Sequence, residues 1–199
     1  MHVTIIITSY QRPEALALVL ESLRQQIRSP DLIVVADDGS TPEIRYVVET
    51  HAALPVTLAW QPDVGFRAAR ARNLAISRIQ SGYVIFIDGD CLCPPHFVSN
   101  HCRLAKLGTL VSGGRVLVSP ENTRELMQRD PREFSNLFSS AKFWSLPLGI
   151  LRDLNVDSSV GVKTCNMALH MDDVLMVCGF DESYRGWGLE DTDFVERLI

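Results

Sequence analysis

Two carboxylates one residue apart, Asp88 and Asp90 with Gly89 between them, follow the apolar run 83–87. The glycine lets both acids bend toward one point. Hard oxygen ligands of this kind suit Mg²⁺ or Mn²⁺, with substrate phosphates completing the shell. Such a cation neutralises charge gathering on a departing diphosphate. Acidic turns after strands are common, so the pair gains weight only from its company. Asp37-Asp38-Gly39-Ser40 closes a second apolar run. A carboxylate there can accept from a nucleobase N–H or a ribose hydroxyl, although the same residues also favour a turn for local reasons. Gly65-Phe66-Arg67 enters a helical stretch with arginines in its first turns, a credible diphosphate cradle. Arg67 and Arg70 share a face while Arg72 points elsewhere, so all three cannot serve one phosphate. Finally, Gly186-Trp187-Gly188 precedes Leu189-Glu190-Asp191-Thr192-Asp193. Acids stabilise a helix's first turn, but a tryptophan between two glycines costs order and exposes its ring. A sugar-stacking ring beside a general base accounts for both.

These residues need a frame. Val3 to Thr8 is a β-branched run, and Pro13-Glu14 then opens a helix with Leu16, Leu20, Leu23 and Ile27 on one face. Leu32 to Ala36 is a second strand, and Thr41-Pro42-Glu43 an N-cap with proline at the first helical position. Val56 to Trp60, a helix over Ala68 to Ile79, and a strand over Tyr83 to Ile87 continue the alternation. Strands alternating with helices predict an α/β fold with a mostly parallel central sheet flanked by helices, Rossmann-like. Ligands of such sheets lie beyond the carboxyl ends of the strands, where Thr8-Ser9 and both acidic turns fall. After Gly113-Gly114 the pattern changes: helix starts at Ser119-Pro120-Glu121 and Asp130-Pro131-Arg132-Glu133, then aromatics Phe134, Phe138, Phe143 and Trp144 among prolines and glycines. That stretch could cover the site or rest on a membrane surface, and packing against the domain ranks first. A strand-like run over Lys163 to His170, a short helix over Asp172 to Cys178 and a helix from Leu189 or Glu190 complete the chain.

The 199 residues fit one domain with a single core, and nothing in them reads as a linker. A net charge of −5 argues against sequence-independent nucleic-acid binding, which needs many cations. The five cysteines are odd in number and suit reduced thiols. Cys91, Cys93, His96, His101 and Cys102 match no common zinc spacing. No apolar run is long enough to span a bilayer, and the N-terminus lacks a cationic leader region, so the expected address is the cytoplasm, with peripheral contact to the inner membrane face open.

Thr8-Ser9-Tyr10, Asp37-Asp38-Gly39-Ser40, Gly65 with Ala71-Arg72-Asn73, Asp88-Gly89-Asp90 and Gly186-Trp187-Gly188-Leu189-Glu190-Asp191 together resemble the inverting family 2 glycosyltransferases of GT-A fold. The tail, from Asn166-Met167-Ala168 through Gly179-Phe180-Asp181-Glu182 to Asp191, is similar to galactosyltransferase and chondroitin-polymerase domains. The resemblance implies one GT-A domain over 1–199, with a nucleotide-sugar half over 1–115 and an acceptor-side half over 116–199. It implies that Thr8 and Asp38 contact the nucleoside, most often uridine, with Asp37 in support. Arg67 and Arg72 would position the diphosphate or order its loop. Asp88 and Asp90 would hold Mn²⁺ or Mg²⁺ and the sugar diphosphate, Asp191 would be the catalytic base, and Glu190 and Trp187 would engage the acceptor sugar. Many relatives add a metal ligand downstream of the base, often histidine. None of the five histidines matches it, and the sequence stops at Ile199 inside a helix, so a further C-terminal segment is expected.

The expected activity is metal-dependent inverting transfer of a hexose or N-acetylhexosamine from a UDP-sugar to a glycan hydroxyl, in surface polysaccharide synthesis. A sugar nucleotidyltransferase is the enzymatic alternative, but its glycine-rich basic first loop has no counterpart in Thr8-Ser9-Tyr10-Gln11-Arg12. A dinucleotide oxidoreductase lacks its G-x-G-x-x-G. A catalytically silent nucleotide- or carbohydrate-binding module is the alternative of another class.

Overall fold

Apolar residues in the first strand alternate in the direction they face, and that alternation builds a core on each side of one sheet. In the computed structural model, which describes residues 1–128, 152–153 and 162–198, β1 (Val3–Ser9) is central. Val3, Ile5 and Ile7 face one core with Leu16, Leu20 and Leu23 of α1 (Pro13–Arg24) and Ile44 of α2 (Pro42–Thr50). Ile6 faces the other, with Ala71 and Ala75 of α3 (Ala68–Ile76). Each aliphatic side chain so buried contributes about 1.5–3 kcal/mol, which is why a six- or seven-residue strand suffices as an anchor.

β2 (Leu32–Asp37) and β4 (Tyr83–Asp88) flank β1, and β3 (Val56–Trp60) lies beyond β2, all of them parallel. The α/β sheet therefore follows the alternation in the sequence. α3 ends at Ile76, short of the expected Ile79, because Ser77, Arg78 and Ile79 continue only as turns. Ile27 lies beyond α1 and is exposed, not on its buried face.

The remaining strands add an antiparallel wing. β5 (Val111–Ser112), β6 (Arg152–Asp153) and β7 (Asn166–His170) give the order β3-β2-β1-β4-β7-β5-β6. β7 runs antiparallel to β4, with Tyr83 opposite His170 and Ile87 opposite Asn166. Around it lie α4 (Phe97–Leu104), α5 (Pro120–Gln128), α6 (Met171–Met176) and α7 (Glu190–Leu198). Phe194 of α7 stacks on Phe180 at 4.3 Å between ring centres, and Phe180 meets Phe86 of β4 edge-on at 5.5 Å. Those rings seat α7 on the sheet face that carries α3. The expected helix start at Asp130 and the aromatics 134, 138, 143 and 144 lie outside the described residues.

His101 of α4 is buried. Its Nε2–H donates to Asn166 Oδ1 at 2.9 Å, and Asn166 Nδ2 donates to the Gly114 carbonyl at 3.1 Å. Burial holds the imidazole neutral, with its pKa down to about 4, against the partial opposition of the Asn166 bond. In the unfolded chain histidine titrates near 6.5. Between those values the unfolded chain takes up a proton that the fold refuses, so stability falls as pH drops from about 6.5 toward 4. The slope approaches about 1.4 kcal/mol per pH unit. His101→Gln is expected to flatten the wild-type loss over that window in urea denaturation series. Parallel curves for the two proteins would mean that His101 titrates freely in the fold.

Candidate functional site

The parallel register sets the acids side by side. Thr8 of β1 lies opposite Asp88 of β4, Ser9 opposite Asp37 of β2, and Asp37 opposite Trp60 of β3. The ladder continues past the strands: Gly89 N–H donates to the Thr8 carbonyl and Asp38 N–H to that of Ser9. A side chain at residue 89 would strike the Thr8 carbonyl at 2.9 Å, so the glycine in the first acidic pair is required by the approach of β1. One crevice at the carboxyl edge thus collects both acidic turns.

The two turns do different work. Asp37 is fully buried; it accepts from Ser40 Oγ and, at 3.2 Å, from Ser40 N–H. Burial raises its pKa, the Ser40 bonds lower it, and neighbouring Asp38 raises it further. Asp38 accepts from Gln61 Nε2 and, at 2.6 Å, from the Arg67 N–H, so it fastens the β3–α3 loop to β2. Gly39 has φ +96°, and a side chain there would collide with the backbone of Asp63 in that loop. Arg67 caps α3, and its Nη2 donates to the Pro62 carbonyl at 2.9 Å. Arg67 therefore orders its own loop. Gln61 Oε1 is buried without a hydrogen-bond partner.

Arg72 is buried and joins the end of β1 to the start of α7. Its Nε donates to Thr8 Oγ1 at 3.0 Å, and its Nη1 reaches Glu190 at 3.1 Å and Asp191 at 3.4 Å. The guanidinium lies 5.3 Å from the centre of the Phe180 ring. Next to it, Asn73 donates to the Phe180 carbonyl at 2.8 Å and accepts from its N–H at 2.9 Å. α3 thereby grips the Gly179-Phe180-Asp181-Glu182 segment and brings α7 to the end of β1. Arg70 is the solvated arginine of the three, 3.8 Å from Glu182.

Asp191 is held from a second side. Thr164 N–H donates to its Oδ2 at 3.1 Å and Thr164 Oγ1 to its Oδ1 at 2.9 Å. Its side chain keeps 22% of its surface open, against 9% for Glu190, whose Oε2 is buried and unpartnered. An incoming hydroxyl can therefore reach Asp191 more readily than Glu190. Trp187 is 88% exposed, and its turn leans on the next loop through Gly186 N–H to the Phe66 carbonyl at 3.1 Å.

Asp88, Asp90 and Cys91 present ligand atoms within 4.8 Å of one another, a metal-sized group among the described residues. Asp88 has its pKa raised by burial, with a lowering from Arg72 and further raising from Asp90 and Asp191. A divalent cation reverses that penalty, so the crowding of carboxylates fits one. Cys91 offers a soft sulfur, a poor match for a hard cation. The donor set therefore amounts to carboxylate oxygens. The cysteine and histidine group 91, 93, 96, 101 and 102 does not assemble: Cys93 is buried in the core and His101 is bonded to Asn166.

Thr164, Gln61, Arg12 and Arg115 also belong to this crevice and are absent from the sequence-derived set. Arg12 carries a legible signal, a cation just past the first strand at the ligand edge. Thr164 carries none, because only the antiparallel return of β7 brings it to α7.

The sequence profile described as glycosyl transferase family 2 matches residues 4–178. The chain belongs to that family. A validoxylamine A glucosyltransferase of Streptomyces hygroscopicus subsp. limoneus is 27% identical over 98% of this chain and 47% of its own length. The chondroitin synthase of Escherichia coli is 24% identical over 98% of this chain and 32% of its own. The family 2 domain thus spans about half the length, or less, of the curated relatives it matches. Among solved structures, S. aureus TarS in complex with UDP-GlcNAc superposes with a TM-score of 0.69 at 16% identity, over 100% of this chain and 53% of that one. The mannosyltransferase PcManGT of Pyrobaculum calidifontis, in complex with GDP-Man and Mn²⁺, gives 0.66 at 22%, over 99% and 51%. The GT-A architecture expected from the sequence is the one found. No described helix is long and apolar enough to cross a membrane.

Proposed function

We propose that this family 2 domain transfers a sugar from a UDP-sugar to a glycan hydroxyl with inversion, using Asp191 as base and Asp88 and Asp90 as ligands of a divalent cation. The observation that carries this is Arg72, which ties Thr8 at the nucleotide edge to Glu190 and Asp191 at the start of α7. Donor acids and base then share one crevice with one buried counter-ion between them.

In this scheme Thr8 and Asp38 receive the nucleoside, with Asp37 supporting their loop, while Arg67 and Arg72 fix the walls of the diphosphate site. Trp187 offers its exposed ring to the acceptor sugar, and Glu190 sets the position of Arg72. Asp191 takes the acceptor's hydroxyl proton; the oxygen forms a bond to the anomeric carbon as the bond to the diphosphate breaks. A cation held by Asp88 and Asp90 would supply charge stabilisation for the departing diphosphate. Mn²⁺ is the ion of choice by analogy with PcManGT, and UDP by analogy with TarS. Residues 1–115 serve as the donor half and 116–199 as the acceptor half. Relatives named as hyaluronan and chondroitin synthases support the reading of hexose or N-acetylhexosamine transfer in polysaccharide synthesis.

UDP is expected to stabilise the domain against heat, and Mn²⁺ to enlarge the shift. Ligand at about a hundred times its dissociation constant adds about 2.7 kcal/mol. Asp90→Ala should keep the fold and lose the Mn²⁺ enhancement. Equal shifts with GDP or CDP would overturn the uridine assignment. An unchanged Mn²⁺ response in Asp90→Ala would place the metal elsewhere, and no shift with any nucleotide would favour a domain without a donor site.

A further inference from the structure

Each acid of the Asp88/Asp90 pair already faces an arginine from a different element. Arg12 Nη1 lies 3.0 Å from Asp90 Oδ2, and Arg115 Nη1 lies 3.8 Å from Asp88 Oδ2. Arg12 is placed by a strained turn. Gln11 adopts φ +51°, unusual without glycine. Its N–H donates to Ser40 Oγ at 2.8 Å, and its Oε1 accepts from Thr41 Oγ1 at 3.1 Å. Ser40 Oγ in turn donates to the buried Asp37. A relay from Asp37 through Ser40 and Gln11 thus aims Arg12 across the crevice at the other acidic turn. A non-glycine residue held in the left-handed region at the mouth of the crevice points to a positioned charge and not merely a solvated one.

We infer that Arg12 and Arg115 are exchangeable counter-ions: they neutralise the two carboxylates until a divalent cation takes them, and then move onto the donor's diphosphate. A guanidinium suits both partners, since its planar fork matches carboxylate and phosphate alike. The exchange rests on the proposed metal role of Asp88 and Asp90. Its consequence is that each arginine opposes the cation alone but favours cation and diphosphate together, so it adds to their coupling.

The test measures Mn²⁺ affinity from the free-ion electron paramagnetic resonance signal, and nucleotide affinity by calorimetry, on wild type, Arg12→Ala, Arg115→Ala and the control Arg45→Ala on α2. Both crevice variants are expected to bind Mn²⁺ alone about two- to fivefold tighter, the scale of an exposed ion pair. UDP in saturating Mn²⁺ should bind severalfold weaker, uridine equally well, and Arg45→Ala should match wild type throughout. Unchanged or weaker Mn²⁺ binding in both variants, with UDP still dependent on Mn²⁺, overturns the exchange alone. Failure of wild type to bind Mn²⁺ even with UDP overturns the exchange together with the metal assignment.

Discussion

Asp191→Asn is expected to lower sugar transfer by about 10² to 10⁴ while leaving UDP affinity unchanged, because asparagine cannot accept the acceptor's proton. The structure makes this substitution gentle on the fold. Thr164 Oγ1 and Arg72 still find an acceptor at Oδ1, and only the Thr164 N–H loses its partner at Oδ2. One lost bond at a partly open side chain costs about 1 kcal/mol. Transfer from a radiolabelled UDP-sugar to the acceptor, with UDP binding measured in parallel, separates chemistry from donor affinity. Wild-type transfer by Asp191→Asn alongside an inactive Glu190→Gln would move the base by one residue. Full activity in both would reduce the acid pair to a helix start.

The largest stability effect is expected at Arg72. Replacing it with methionine keeps much of the packing against Phe180 but leaves Glu190 and Asp191 facing each other without a counter-charge. Removing one partner of a buried ion pair costs about 3–5 kcal/mol. Glu190→Gln added to Arg72→Met should recover part of that loss, since the two residues are coupled. Urea denaturation of the two single variants and the double variant measures the coupling. A loss below about 1 kcal/mol for Arg72→Met would mean that water solvates the acids, and Arg72 would no longer be the joint between β1 and α7.

What could be read from the sequence follows from how local its causes are. The four parallel strands and the acids at their ends come from β-branched runs closed by Asp and Gly, and each such signal is complete within ten residues or so. Arg72 was legible as a cation on α3, but its direction was not. A helical face cannot reveal that Asn73 would seize the Phe180 backbone and draw α7 alongside. Asp37 and Asp38 were legible as an acidic turn, whereas their division of labour depends on Ser40, Gln61 and Arg67, residues with ordinary local roles. The antiparallel wing was not legible as a wing: β7 reads as a strand, but its partner is decided by a long-range pairing, Tyr83 with His170 and Ile87 with Asn166.

That pairing also orders events in time. β4 closes on β1 across as long a stretch as β7 closes on β4, so the two differ not in distance but in their order along the chain. Both contacts close slowly relative to the local β1–β2 and β2–β3 pairings, but a chain made from its N-terminus completes β4 first. During synthesis the nucleotide edge, with both acidic turns, can therefore mature first. Thr164 and the start of α7 arrive only when β7 docks, so Asp191, the proposed base, enters the crevice last. A growing chain would hold a donor cradle before it holds the means to use it, and the final strand would act as the step that arms the enzyme.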